Sequence, residues 1–321
     1  MKCINKKNVA MLCILFVIFS FTGCGAQKAY STEYEKLNYN QSLDKYNGFA
    51  RNLCVTNTNV NMDGYTTDDS LHAAGLFDVS GAQVLYSDKV FDQIYPASTT
   101  KIMTAYVVLK HADLDEMVTV SDNAVNLDAD AQVCGLQAGD QLTLGALLNG
   151  LLLYSGNDNA IAIAEYMAGS VSSFADMMNQ AAIELGATHS HFLNPHGLHE
   201  EGHYTTAYDL YLIFNACIQD QRFVDIISQS SYNATITNAS GEMRSAVWEP
   251  TNYYSLGNVA MPDGVRVLGG KTGTTDEAGS CVILYNLSMA NSPYISVIMG
   301  ADNKDTLYSD MTALLSVGIN R

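Results

Sequence analysis

Two groups of strand-like segments, separated by a long helical stretch, limit the architectures open to this chain. "HAAGLFDVSGAQVLYSD", residues 72–88, reads as two strands joined by the turn residues Ser80 and Gly81. Helical periods follow over 97–110, 144–154, 159–167, 172–185 and 206–218. Strand character returns in "NATITN", "GVRVLGGKTGTT", "SCVILYNLSM" and "YISVIMGA", and an amphipathic helix follows at about 306–317. Strands at both ends with helices between predict one α+β domain, an antiparallel sheet with flanking helices and an inserted helical subdomain at about 96–230. With 48% hydrophobic residues in 321, the chain can bury such a core.

The first residues, "MKCINKKNVAMLCILFVIFSFTGCGAQ", have a basic start, an apolar run from Val9 to Phe21 too short for a comfortable membrane span, then small residues. That pattern predicts export. The closing "FTGC" resembles the bacterial lipobox, which implies lipidation at Cys24 and a membrane lipoprotein facing the cell wall. The chain then divides into a signal peptide (1–23), a Tyr-, Asn- and Ser-rich tether (24–68) that docks at its end through "NLCV", and a folded domain (69–321). A net charge of -17, more negative still without Lys2, Lys6 and Lys7, excludes a nucleic-acid-binding surface. Beyond Cys3, Cys13 and Cys24, the remaining Cys54, Cys134, Cys217 and Cys281 are irregularly spaced and are expected as buried free thiols.

Three elements carry candidate chemistry. In "YPASTTKIMTA", Ser98 and Lys101 are spaced i and i+3 near a helix start, so they share a face, and Pro96 fits the first turn. A neutral lysine there takes the serine proton, and the free N–H groups of the helix start meet an oxyanion. The spacing alone is weak, because Ser42 and Lys45 repeat it in the tether. In "LLLYSGNDNA", Ser155 and Asn157 sit between two apolar helices: Ser155 can relay a proton and Asn157 can hold a substrate amide, although helix caps use the same residues. Ser121 and Ser231 compete as decoys. In "VLGGKTGTTDEAGSCV", glycines interrupt a strand pattern around Lys271, Thr272, Gly273 and Thr274, as at a bulge or a close approach by a ligand. A peptide could pair there while Lys271 and the threonine hydroxyls take a carboxylate.

Ser-x-x-Lys, Ser-x-Asn and Lys-Thr-Gly in this order are the signature of the serine penicillin-recognising enzymes. From about Ala73 onward the chain resembles the serine-type D-alanyl-D-alanine carboxypeptidases, the low-molecular-mass penicillin-binding proteins, in these blocks and in "HFLNPHGLHEEGHYTTAYDL". The resemblance implies a β-lactamase/penicillin-binding-protein transpeptidase-like fold and an acyl-enzyme mechanism on peptidoglycan stem peptides. It implies Ser98 as nucleophile, Lys101 as base, Ser155 as proton relay, and Asn157, Lys271, Thr272, Gly273 and Thr274 around the substrate. The N–H groups of Ser98 and Thr274 would form the oxyanion hole. It also implies inhibition by β-lactam antibiotics and no need for a metal or other cofactor. Ser121 is then expected as an N-cap rather than a catalytic residue.

Alternatives on the same residues are a DD-transpeptidase or a class A-like β-lactamase. The latter orients water with a glutamate in a Glu-x-x-Leu-Asn loop, where this chain has "SHFLN" with Ser190, and Glu200 and Glu201 come too late. His196, His199, His203 and Asp209 could be drawn as a zinc site, but Pro195, Gly197 and Gly202 argue against an aligning helix, so polar loop histidines are expected. A non-catalytic wall-peptide or β-lactam-sensing lipoprotein is the remaining alternative. Many relatives carry a second β-rich domain and a C-terminal anchor; neither is expected after "YSDMTALLSVGINR", with the N-terminal lipid in the anchor's place.

Overall fold

In the computed structural model, which describes residues 50 and 52–319, strands from the two ends of the domain share one sheet. The export signal, Cys24 and the Ser42/Lys45 pair lie outside the described residues. Strands β1 (Ala73–Asp78) and β2 (Gln83–Asp88) come before the insertion; β7 (Val265–Thr275), β8 (Gly279–Ser288) and β9 (Pro293–Ala301) come after it. Their order is β2-β1-β9-β8-β7, all antiparallel, so β1 pairs with β9 and β7 is an edge.

Both faces of this sheet are buried, and the period-2 alternation of side chains divides the core in two. Phe77, Cys281, Ile283, Ile295 and Val297 face the helical insertion. Leu76, Val282, Leu284 and Ile298 face the C-terminal helix, called α7 below (Lys304–Ile319), whose Leu307, Tyr308, Met311, Leu314 and Leu315 complete that second core.

Six helices precede α7: α1 (Lys101–His111), α2 (Leu144–Asn149), α3 (Asn157–Ala168), α4 (Val171–Leu185), α5 (Ala207–Cys217) and α6 (Gln221–Ile227). Side-chain caps fix several of their starts: Thr143, Ser170 and Thr206 accept the N–H groups of Ala146, Ser173 and Asp209. Helix α1 is buried on nearly every side, from Lys101 through Leu109 apart from Tyr106, because it is apolar all round and other helices enclose it. This burial places the whole Lys101 side chain, its amine included, away from solvent.

A second antiparallel sheet, order β3-β4-β5-β6, joins the insertion to the residues just after it: β3 (Met117–Thr119), β4 (Gln141–Thr143), β5 (Tyr232–Thr237) and β6 (Met243–Trp248), of which the sequence reading expected only β5, as "NATITN". Strands β3 and β4 are three residues long, too short to show a period. The segment read as the end of a tether also packs on the domain. Cys54, Met62 and Tyr65 are buried, and the Cys54 N–H donates to the Tyr211 hydroxyl at 2.7 Å. Scattered single apolar residues carry no period, yet each fills a gap against a distant element. The four cysteines Cys54, Cys134, Cys217 and Cys281 are buried and free.

Candidate active site

A one-turn 3₁₀ helix, Ala97–Thr100, delivers Ser98 into the start of α1. Ala97 has φ 46°, a left-handed conformation that costs energy without glycine, immediately before the serine. The loop packed on it leaves little freedom: a Cβ on Gly197 would lie 1.8 Å from the Ala97 carbonyl oxygen, and Gly197 itself has φ +86°. Ser98 is partly exposed, whereas Lys101 is 0% and Lys271 1% exposed.

Lys101 Nζ lies 2.9 Å from Ser98 Oγ, 2.6 Å from Asn157 Oδ1 and 2.7 Å from the His196 carbonyl oxygen. Two of these neighbours only accept, and the hydroxyl can also donate. A neutral amine therefore donates its two hydrogens to Asn157 and His196 and turns its lone pair toward the Ser98 O–H. Burial, and then the neighbouring Lys271 charge, push the Lys101 pKa well below its ordinary 10.5. No carboxylate oxygen lies within 4.0 Å of either lysine among the described residues.

Ser155 reaches the site through an irregular helix end. After α2 the chain forms a π-helical turn, Gly150–Tyr154, and Ser155 follows with φ 70°. Its Oγ accepts from Lys271 Nζ at 2.9 Å, so it is not spent capping α3. Asn157 opens α3, and its carbonyl oxygen is taken by Lys101, which leaves the amide NH2 to face a ligand. Asp158 holds this junction: its carboxylate, 1% exposed, accepts the N–H groups of Cys134 at 2.9 Å, Leu136 at 3.1 Å and Asn159 at 3.0 Å.

Edge strand β7 closes the opposite side. Lys271 Nζ also donates to the Thr272 carbonyl at 2.8 Å, and burial pulls its pKa down to about 7. A Cβ on Gly273 would lie 2.9 Å from the Ser98 nitrogen and 3.0 Å from Ala97 Cβ, so only glycine lets the strand come this close to the serine turn. The resulting cleft is lined by Ser98, Gln132, Ser155, Thr251, Thr272, Gly273 and Thr274, together with Lys304, Leu307 and Tyr308 of α7. Thr251 and Thr272 hydroxyls share a 2.6 Å hydrogen bond.

The histidines expected as polar loop residues divide: His191 and His199 are exposed, while the other two are enclosed. His196 and His203 are buried, and their pKa values are pushed down by burial to about 3 and about 4. His203 Nδ1 accepts the Leu193 N–H at 3.0 Å, so its Nε2–H donates to Thr100 Oγ1 at 2.9 Å. Thr104 Oγ1 donates to the Pro195 carbonyl at 2.7 Å. The loop thus grips the face of α1 that carries Lys101 and supplies it with a backbone acceptor, which no side-chain motif could signal. Asp209 faces elsewhere, accepting from Ser190 Oγ and the His189 N–H. Ser121 Oγ caps a turn by accepting the Ala124 N–H and donates to Glu165, rather than starting a helix. Ser231 stands immediately before β5.

Residues 65–303 match the peptidase S11 family, D-alanyl-D-alanine carboxypeptidase. The chain belongs to the D-alanyl-D-alanine carboxypeptidase family. It is 30% identical over 267 residues to D-alanyl-D-alanine carboxypeptidase DacF of Bacillus subtilis, covering 81% of this chain and 65% of that protein. It is 32% identical over 248 residues to the D-alanyl-D-alanine carboxypeptidase of Streptomyces sp. K15, covering 73% of this chain and 82% of that one. The chain therefore spans just under two thirds of the Bacillus relative. The crystal structure of the Streptomyces K15 DD-transpeptidase superposes with a TM-score of 0.72 at 27% identity, over 80% of this chain and 100% of that one. The α+β fold of the penicillin-binding DD-peptidases is shared.

Proposed function

We propose that this family member is a serine DD-peptidase that removes the terminal D-alanine from peptidoglycan stem peptides through an acyl-enzyme. The observation that carries this reading is Lys101 Nζ, buried, unpaired by any carboxylate among the described residues, and 2.9 Å from Ser98 Oγ. In this reading the stem peptide lies along the free edge of β7 as an added strand. Lys101 takes the Ser98 proton as Oγ attacks the penultimate D-alanine carbonyl, whose oxygen meets the N–H groups of Ser98 and Thr274. Ser155 passes the proton that Lys101 took from Ser98 on to the leaving D-alanine nitrogen as the C–N bond breaks, which leaves Lys101 neutral again, and Asn157 Nδ2 orients the peptide. Lys271, Thr272 and Thr274 receive the terminal carboxylate. Water, deprotonated by Lys101, then releases the shortened peptide; an amine from a neighbouring stem would give a cross-link in the same step.

A β-lactam would acylate Ser98 and persist. Ser190, which stands where the class A water-orienting glutamate would be, is tied to Asp209 and Thr205, and Glu200 accepts from Asn194. D-Alanine release from diacetyl-L-Lys-D-Ala-D-Ala by wild type and by Ser98→Ala, with fluorescent-penicillin labelling and peptide mapping, tests the reading. Release and Ser98 labelling, both lost in the variant, are expected; no release and no adduct from wild type would end it.

The export signal and "FTGC" support a lipoprotein attached through Cys24 outside the cytoplasmic membrane. No helix among the described residues is long and apolar enough to cross a membrane. Labelled palmitate should enter the wild-type protein and not Cys24→Ser.

A further inference from the structure

Edge strand β7 runs past the catalytic motifs to a carboxylate that they do not include. Glu277 stands in the turn between Thr275, where β7 ends, and Gly279, where β8 begins. The turn is fixed, because Thr275 Oγ1 accepts the N–H of buried Ala278 at 3.1 Å. Glu277 Oε2 lies 3.9 Å from His199 Nδ1, too far for a hydrogen bond, and the His199 ring meets the Tyr95 ring edge-on with centroids 4.6 Å apart. Both rings are held from behind. Buried Asn194 donates to the Leu198 carbonyl at 3.1 Å and to Glu200 Oε1 at 2.7 Å, on either side of His199. Ile94 and Thr205 exchange two backbone hydrogen bonds of 2.9 Å, which tie the Tyr95 segment to the same loop. Among the described residues the Glu277 carboxylate accepts no hydrogen bond, and no lysine or arginine nitrogen lies within 4.0 Å of it. Tyr95 and Glu277 also border a cavity of about 440 Å³ whose lining includes Asp69, Asp92 and Lys89. Three carboxylates against one ammonium give this region a negative field.

We propose that Glu277, with Tyr95 and His199 beside it, is a specificity-determining residue that binds the side-chain ammonium of the third stem-peptide residue. The proposal rests on the DD-peptidase reading above. There the terminal carboxylate lies at Lys271 and the threonine hydroxyls and the penultimate carbonyl at the Thr274 N–H, so the peptide runs antiparallel to β7. Each extended residue advances about 3.3 Å, and the residue before the scissile pair therefore lies beside Thr275 and the turn. A lysine or diaminopimelate at that place carries a primary ammonium on a flexible stem. Glu277 offers it an opposite charge, and the Tyr95 ring offers a cation–π contact. The chemical consequence is selection: a third residue with a free amine gains these contacts, and one whose amine is acylated does not.

The test compares D-alanine release from Nα-acetyl-L-Lys-D-Ala-D-Ala, whose side-chain amine is free, with release from the diacetyl peptide, in which that amine is acylated and uncharged. A third peptide, with meso-diaminopimelate in place of lysine, separates the two diamines. Wild type, Glu277→Gln and Glu277→Asp are assayed in the full chain. Wild type should favour the free amine over the diacetyl peptide by roughly 3- to 10-fold in kcat/KM, the range for a half-exposed ion pair with an aromatic contact, mainly through KM. High salt should shrink this ratio. Glu277→Gln should bring it close to one, and Glu277→Asp should keep part of it. The ratio cancels any general effect of the substitution on Ser98. The diamine peptide that loses more kcat/KM in Glu277→Gln is the better-fitting one. A wild-type ratio near one, or a preference that survives Glu277→Gln, overturns the role of Glu277, while cleavage abolished by Ser98→Ala leaves the peptidase reading standing. If wild type cleaves none of the three peptides, both readings fall.

Discussion

Lys101 Nζ and Ser98 Oγ are 2.9 Å apart across one helical turn, and the lysine's other two neighbours are fixed acceptors from α3 and the 190–205 loop. The pair is therefore assembled from three separate parts of the chain. If Lys101 is the base, Lys101→Ala should slow acylation by fluorescent penicillin by about 10²–10⁴-fold, the usual worth of a positioned general base. Lys101→Arg should be as slow, because a guanidinium stays protonated. Acylation of Lys101→Ala at the wild-type rate would leave the serine without its explanation.

The pH dependence follows from two lysines with depressed pKa values. If Lys101 is the base, acylation should be lost as pH falls through a value well below 10.5. The Lys271 cation is lost as pH rises through about 7, which should weaken carboxylate-bearing ligands on the alkaline side. For stability the sign is opposite to that of a salt-bridged lysine. The unfolded chain binds the Lys271 proton up to about 10.5 and the folded one only up to about 7, so this contribution is present at high pH and lost as pH falls through about 7. Urea unfolding at pH 7 and pH 9 checks it: the difference in stability between wild type and Lys271→Met should shift in favour of wild type at the higher pH. An unchanged difference would show that burial does not depress this pKa.

Gly273→Ala tests the close approach of β7. The added methyl carbon would sit 2.9 Å from the Ser98 nitrogen and 3.1 Å from the Pro96 carbonyl oxygen, both backbone atoms that cannot swing aside. Strand pairing to β8 continues on the other side, so the fold should persist. Penicillin acylation should fall by about 100-fold, as expected when reacting groups are displaced by about 1 Å. Melting within a few degrees of wild type together with full acylation would refute the contact.

Asp158→Ala removes the carboxylate that joins the Cys134–Leu136 segment to the start of α3. Three backbone N–H groups would lose their acceptor inside the protein, where each unsatisfied donor costs about 1–3 kcal/mol. A loss of about 3 kcal/mol is expected from chemical denaturation, with slower acylation because Ser155 and Asn157 flank the same junction. A change below about 0.5 kcal/mol would mean that water replaces the carboxylate.

Much of this arrangement was legible in the chain because it is local. The i, i+3 spacing places Ser98 and Lys101 on one face whatever surrounds them, and Gly273 inside a strand pattern announces a close approach. The large sheet was legible from short apolar runs bounded by turn residues, such as "SCVILYNLSM", at both ends of the domain. The rest depends on backbone atoms and distant packing. The His196 carbonyl that completes the Lys101 site lies 95 positions away and has no side-chain signature. The π-helical turn before Ser155 follows from tertiary fit, since "LLLY" reads as an ordinary helix. Lys304 sits in a segment whose only visible pattern is an amphipathic helix, and its place in the cleft depends on Tyr253 and Tyr308 stacking beneath it.

The buried histidines of the 190–205 loop make the site acid-sensitive. In the folded protein His203 titrates at about 4 and His196 at about 3, against an ordinary 6.5. Between those values the unfolded chain binds protons that the folded chain refuses, so stability present above about 6.5 is lost as pH falls through about 4. His203 also donates to Thr100 and accepts from Leu193, so protonating it breaks one of these bonds beside the serine turn. A His203→Gln variant keeps an amide donor but cannot charge. Its melting temperature should fall less than that of wild type between pH 7 and pH 4.5, and its acylation rate should hold up better over the same range. Equal losses in the two proteins would place the acid sensitivity elsewhere.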